Sequence, residues 1–194
     1  MCGRYQFSAF QSAEAARIVE AVKKQYGPGT WMPGDVRPGN RAPVLLPGDG
    51  NKPGVRLFTW GYPARNNRII NARAETAAEK PMFREGVQHK RCVIPSTGFY
   101  EWDGRKRKYL FKIPGNDTVY MAGVYEEYAG KEYFCILTTE ANASVREVHH
   151  RMPLVLARED VSAWLNGGPA AGALLGGTPP ELSRESRESQ ISLW

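Results

Sequence analysis

Cys2 carries the sharpest chemical potential in the chain. Only Met1 precedes it, and the neighbouring Gly3 is small. If Met1 is removed, a single residue offers an α-amine and a thiol on adjacent carbons. The amine has a reference pKa of about 7.7–8.0 and the thiol about 8.5, so both are partly nucleophilic near neutral pH. An N-terminal nucleophile can use its own amine as the base. Towards an aldehyde it does more: the amine condenses to a Schiff base, and the thiol closes onto the same carbon as a thiazolidine. Taken alone, a cysteine at this position is more often incidental, at a frayed terminus.

Other residues add weaker signals. His149 and His150 precede Arg151-Met152-Pro153, and histidine is well poised for proton transfer near neutral pH. Adjacent histidines point apart on a helix, so they make a poor metal pair, and either one alone reads first as packing or surface. Glu101 lies between aromatic residues in Gly98-Phe99-Tyr100-Glu101-Trp102. Burial there would raise its pKa towards a useful range; an edge-strand Glu facing water is the plainer reading. Asn71, after Ile69-Ile70, could orient a reacting group or simply cap a helix. Trp60 and Trp102 could stack on bases, although core is the first reading of each. Arg105-Lys106-Arg107-Lys108 is a basic run after a turn, of the kind that usually marks a solvated hairpin tip. Cys92 and Cys135 read as core strand positions.

These residues must be positioned by folded elements, and the patterning names them. Ser8 with Gln11 fits a capping box opening a helix to Tyr26, with Ala15, Ile18, Val19 and Val22 on one face. Residues 31–53 read as loop around a short strand at Val44–Leu46. A strand is expected at Val55–Tyr62, and a helix from Ala72 to Gln88 interrupted at Pro81. Strands follow at Arg91–Pro95, Phe99–Trp102, Lys108–Ile113, Val119–Tyr128 and Glu132–Thr139. Asp103-Gly104 and Ala129-Gly130 sit between them as hairpin turns. Asn142–His149 and Arg158–Asn166 are expected as helices, and Leu154–Ala157 as a strand. Gly167–Pro180 reads as a flexible loop, and Ser183–Ser189 as a solvated tail. The expected class is α+β: a single domain with a strand-rich, antiparallel, partly barrel-like core and peripheral helices. Its body spans residues 1–166, and 167–194 is loop and tail.

Composition sets the outer limits. The chain has 194 residues, of which 42% are apolar and 24% charged, which excludes wholesale disorder and coiled coil. It buries roughly 70% of its unfolded surface without needing a disulfide or metal. No apolar run approaches the ~20 residues that span a bilayer, and no secretory leader is evident. Three cysteines without zinc-type spacing point to a reducing cytoplasm and no metal centre. Charge is uneven: residues 51–108 hold 13 basic and 5 acidic side chains, against a net charge of +6 for the whole chain. Such one-sided excess favours a polyanion partner, with a plain solvated surface as the alternative.

Six blocks in order make the combination specific: Met1-Cys2-Gly3-Arg4-Tyr5, Trp60-Gly61-Tyr62-Pro63, Ile70-Asn71-Ala72-Arg73-Ala74-Glu75-Thr76, Arg91-Cys92-Val93-Ile94-Pro95, Gly98–Trp102 and His149–Leu154. Through them the chain resembles the SOS response-associated peptidase (SRAP) family, over roughly residues 1–166. The resemblance implies a DNA-repair protein without cofactor; nothing in the sequence demands more than a monomer, and the cytoplasm is the location expected from the cysteines. The resemblance also implies loss of Met1, partly by self-processing in the family and here left open between self-processing and an aminopeptidase, binding of single-stranded DNA and a thiazolidine cross-link from Cys2 to the opened aldehyde of an abasic site. It implies that Asn71 positions the N-terminus and sugar, that Glu101 transfers protons and that His149 helps open the sugar ring. Gly3, Arg4, Arg73, Trp102 and Arg151 would line the DNA path. Two blocks depart from the family pattern. Ala64-Arg65-Asn66-Asn67 stands where relatives carry a Trp wedge, and Asp35-Val36-Arg37-Pro38 replaces a common Asn-x-Ala-Pro. Junction preference and RNA binding are left open. An N-terminal-nucleophile amide hydrolase and a passive single-strand or modified-base binder are the alternatives.

Overall fold

The computed structural model describes residues 2–48, 53–115 and 118–187. Met1 and the end of the expected tail, Glu188-Ser189, lie outside the described residues.

The chain enters through β1 (Tyr5–Phe7) and continues into α1 (Ala13–Tyr26). The cap of α1 is Ser12, not Ser8. Ser12 Oγ accepts the Ala15 N–H at 3.0 Å and sits 2.8 Å from Thr118 Oγ1. Ser8 is used elsewhere, its N–H donating to Thr97 Oγ1 at 3.1 Å. A side-chain cap of this type stabilises a helix by about 1 kcal/mol. Ala15, Ile18, Val19 and Val22 form the buried face, as their spacing predicts.

Next come β2 (Gly34–Val36), β3 (Arg41–Leu46), β4 (Gly54–Trp60), β5 (Tyr62–Pro63), β6 (Arg68–Ile69) and β7 (Asn71–Arg73). The stretch read as mostly loop thus holds two strands. The expected helix from Ala72 starts later, because Asn71–Arg73 pair with a strand instead; α2 (Ala74–Ala77) and α3 (Pro81–His89) follow. Pro81 opens α3, where its missing N–H costs nothing. The strands β8 (Arg91–Ser96), β9 (Gly98–Trp102), β10 (Lys108–Lys112), β11 (Val119–Tyr128) and β12 (Lys131–Glu140) lie within a residue or two of expectation. After them come α4 (Ala143–Arg146), β13 (Arg151–Pro153), β14 (Val155–Leu156), α5 (Asp160–Asn166), α6 (Gly168–Leu174) and β15 (Ser183–Arg187). The Gly/Ala/Pro stretch therefore contains a helix. The charged segment read as tail instead pairs residue by residue with β10. Its polar side chains fit an edge strand that is wet on its outer side.

The core is a closed ring. β12 pairs with β4, β4 with β3, β3 with β8, β8 with β11, and β11 returns to β12. The pairs of β12 with β4 and with β7 are parallel, and the rest of the ring is antiparallel. Closure leaves the ring with no open edge. Trp60 and Phe134 are fully buried and stack with centroids 6.2 Å apart. Gly123 is dictated by close packing: a Cβ there would lie 2.4 Å from Ile94 Cδ1 and 2.8 Å from the Cys135 carbonyl. A second sheet, ordered β15-β10-β9-β1-β2, stands beside the ring. It brings the start of the chain against β9 and thereby sets Cys2 in place.

Candidate active site

Three sequence-distant residues meet at the chain start. β1 pairs antiparallel with β9, with Tyr5 opposite Phe99 and Gln6 opposite Gly98. One step along, the Tyr100 N–H donates to the Arg4 carbonyl at 2.9 Å. That register leads β1 back towards Glu101. Gly98 opens β9 at φ 152, and a Cβ there would lie 2.8 Å from both Leu110 Cδ1 and the Phe111 carbonyl. A side chain is thus excluded at the point where β9 turns in.

Cys2 is fully buried, and its thiol lies 3.6 Å from the Arg4 carbonyl oxygen. Burial raises the thiol pKa far above its ordinary value, and the negative charge of Glu101 raises it further. Cys2 is therefore a protonated thiol at neutral pH. Glu101 is 2% exposed; burial pushes its carboxyl up to about 7. It is poised between acid and base at the pH where proton transfer is most useful.

Asn71 comes from β7 and completes the group. Its Nδ2 donates to the Cys2 carbonyl at 2.9 Å. Its Oδ1 is buried and has no hydrogen-bond partner among the described residues. An acceptor in that state suits an added N–H donor, because an unmet buried polar group costs about 1–3 kcal/mol.

The histidines form a neighbouring cluster. The neighbouring His149 charge, then desolvation, lower the His150 pKa, with Arg151 and Arg73 adding smaller effects. The two imidazoles stack with centroids 4.5 Å apart. His149 itself is pushed down by burial. Its Nδ1 lies 3.0 Å from both the N–H and the carbonyl of Arg151. A neutral ring that accepts the N–H carries its proton on Nε2. The charged ring can donate Nδ1–H to the carbonyl. A three-residue strand, β7, thus supplies Asn71 to the Cys2 group.

The cationic residues divide. Arg73 is exposed on β7. Arg4 Nε lies 3.6 Å from Asp35 Oδ2. Arg151 is gripped by Glu75 through two hydrogen bonds of 2.7 and 2.9 Å, and by the Thr138 carbonyl at 2.6 Å. Trp102 is half-buried, 6.5 Å from Tyr100 between ring centroids. Asp35 and Glu75 lie inside blocks that the sequence singles out, yet no local spacing assigns them these partners; Glu75 and Arg151 are 76 positions apart. Next to Asn71 along the chain, a cavity of about 740 Å³ is lined by Pro38, Pro63, Ala64, Arg68, Ile70 and Tyr133.

Cys92 and Cys135 are buried core residues, as their strand positions predict, and the Cys135 thiol is pushed up to about 12 by burial. Among the described residues, no group of three or more His, Cys, Asp or Glu is placed to hold a metal ion. Nor is any described helix long and apolar enough to cross a membrane.

The family model described as SOS response associated peptidase (SRAP) matches residues 1–182. The chain belongs to the SRAP family. The match runs past residue 166 and takes in α6. Abasic site processing protein YoaM of Bacillus subtilis is 33% identical over 186 residues, covering 86% of this SRAP chain and 79% of the relative. Abasic site processing protein YedK of Escherichia coli is 30% identical over 178 residues, covering 85% and 79%. A crystal structure of a protein from Bacteroides thetaiotaomicron superposes with a TM-score of 0.74 at 27% identity, over 95% of this SRAP chain and 91% of that one.

Proposed function

We propose that this SRAP protein binds single-stranded DNA and captures abasic sites covalently through Cys2. The observation that carries the reading is the Asn71–Cys2 contact, beside a carboxyl poised near neutrality. Loss of Met1 exposes the Cys2 amine, and the unpartnered Asn71 Oδ1 is an acceptor suited to one of its N–H groups.

The order of events follows from the protonation states. The buried thiol is held protonated, so the amine is the first nucleophile. His149 and Glu101 exchange protons with the sugar as its ring opens to the aldehyde. The amine nitrogen adds to the aldehyde carbon, and water leaves to give the Schiff base. Glu101 takes the thiol proton, and sulfur bonds to the same carbon. The proton ends on nitrogen, closing the thiazolidine with one water lost overall. Reversal through the same groups adds the water back and frees the aldehyde and Cys2; lyase-like chemistry would instead be elimination of the phosphate from the Schiff base before the ring closes. Removal of Met1 by the protein itself would be the family's peptidase activity, drawing on the same Cys2, Asn71 and Glu101.

A thiolate-first amide hydrolase fits less well. Reactive thiolates need a lowered pKa, and here burial and Glu101 raise it. Exposed Arg73, with Arg4 and Arg151, would supply the salt-dependent part of DNA binding.

A denaturing gel tests the proposal. Wild-type protein, confirmed by intact mass to lack Met1, should give a band surviving denaturation only with an oligonucleotide carrying an abasic site. Cys2→Ala should bind reversibly and give none. A stable cross-link from Cys2→Ala, or none from the wild type, would defeat the reading.

A further inference from the structure

The hairpin between β9 and β10 carries Arg105, Lys106, Arg107 and Lys108 in succession. Asp103 fixes its shape. Its carboxylate accepts the backbone N–H groups of Arg105 and Arg107, each at 2.9 Å, and Arg107 Nε–H at 2.7 Å. Its carbonyl accepts the Lys106 N–H at 2.9 Å, and its own N–H donates to the Arg107 carbonyl at 3.1 Å. Lys106 is held at φ 61, a left-handed conformation that costs an ordinary residue about 1–2 kcal/mol. The loop therefore holds a fixed shape with a lysine where glycine or asparagine would be more relaxed.

The four cations differ in what they do. Asp103 neutralises Arg107. Arg105 and Lys106 are exposed and make no ion pair among the described residues. Lys108 pairs with Trp102 across the hairpin, and its Nζ stands 5.0 Å from the centre of the Tyr100 ring. Half-buried Trp102 beside Lys108 and the two cations Arg105 and Lys106 is the composition of a single-strand track, where bases stack and phosphates pair. The track begins one residue beyond the site along β9. Glu101, whose charge reaches the Cys2 thiol, precedes Trp102, and Arg105 lies no more than about 13 Å of extended chain beyond Glu101.

We infer that the β9–β10 hairpin is a second phosphate-binding surface, receiving the strand on one flank of the nucleotide that sits at Cys2. The inference rests on the abasic-site reading above and adds a direction to it. The strand leaves past Trp102 and Lys108, and Arg105 and Lys106 hold its backbone.

Reversible binding of a single-stranded oligonucleotide tests this, using a ring-closed abasic analogue that has no aldehyde. The wild type, Arg105→Ala/Lys106→Ala and the control Lys23→Ala/Lys24→Ala on α1 are compared across a salt series. The control removes the same net charge far along the sequence from the hairpin. Losing two phosphate contacts should flatten the slope of log K against log salt by about 1.4, at about 0.7 per single-strand contact. The control should keep the wild-type slope. Trimming the oligonucleotide on one flank of the analogue should erase the difference, whereas trimming the other flank should not. A slope equal to wild type, or a loss matched by the control, overturns the inference. If the slopes differ as expected but no wild-type covalent band forms with a true abasic strand, the abasic-site reading fails and the hairpin surface stands.

Discussion

Asn71 holds the carbonyl of Cys2 at 2.9 Å across 69 positions of sequence. A chain start is ordinarily the least ordered part of a domain. Here it is pinned by a strand pairing on one side and by this side-chain bond on the other. The pinning fixes the α-carbon of Cys2, and hence where amine and thiol can point. Positioning of this kind can supply much of a barrier reduction before any proton moves.

Asn71→Ala should slow cross-linking about 10-fold, the equivalent of about 1.4 kcal/mol for one lost hydrogen bond. Single-strand affinity should change little, because Asn71 carries no charge. Single-turnover gels beside anisotropy binding would check both. A rate equal to wild type would show that the Cys2 carbonyl needs no holding.

Glu101 makes stability depend on pH. Burial raises its folded pKa to about 7, while the unfolded carboxyl titrates near 4.3. Between these values the folded state binds more protons than the unfolded, so stability falls as pH rises. The slope reaches at most about 1.4 kcal/mol per pH unit and vanishes above the folded pKa. Glu101→Gln should abolish this component, gaining on wild type from pH 5 to 7 in urea melts. Parallel curves for the two proteins would place the Glu101 titration elsewhere.

His149 titrates in the opposite sense. Its folded pKa is depressed by burial, so its contribution is present above the unfolded value of about 6.5 and is lost as pH falls below it. Nitrogen-detected NMR of the imidazole should find a pKa below 6.5 and, at pH 8, the proton on Nε2. A proton on Nδ1 at pH 8 would contradict the Arg151 N–H contact as the fixing bond.

Glu75→Gln should loosen the Arg151 guanidinium, which then keeps only its Thr138 contacts, and remove a negative charge two residues from Arg73. Stability should drop by no more than about 1 kcal/mol, because the carboxylate side is substantially exposed. Affinity for intact single-stranded DNA should rise about threefold, equivalent to about 0.6 kcal/mol. Unchanged or weaker binding would make Arg151 a strut between α2 and β12 rather than a latent cation.

Gly123→Ala should cost about 2 kcal/mol or more, since the added methyl meets both Ile94 and a β12 carbonyl inside a closed ring. Thermal melts would read this directly. A variant as stable as wild type would mean that the ring opens locally at little cost.

Residue order alone was enough to place the strands from Arg91 to Thr139, the apolar face of α1, the core role of Cys92 and Cys135, and the membership announced by six ordered blocks. Those features are local: alternation, turn residues and helical spacing are set by the backbone within a few residues. The rest arises only on folding. Ser12 rather than Ser8 caps α1: Thr118 sits against the capping hydroxyl of Ser12, while the Ser8 N–H is drawn to Thr97 across the fold. The polar segment Ser183–Arg187 becomes a strand because β10 offers an open edge. Burial makes Cys2 a protonated thiol and Glu101 an acid near 7. Asp35 and Glu75 meet Arg4 and Arg151 only in the folded chain. Desolvation and charge pairing are properties of a three-dimensional neighbourhood, and no spacing along the chain encodes them.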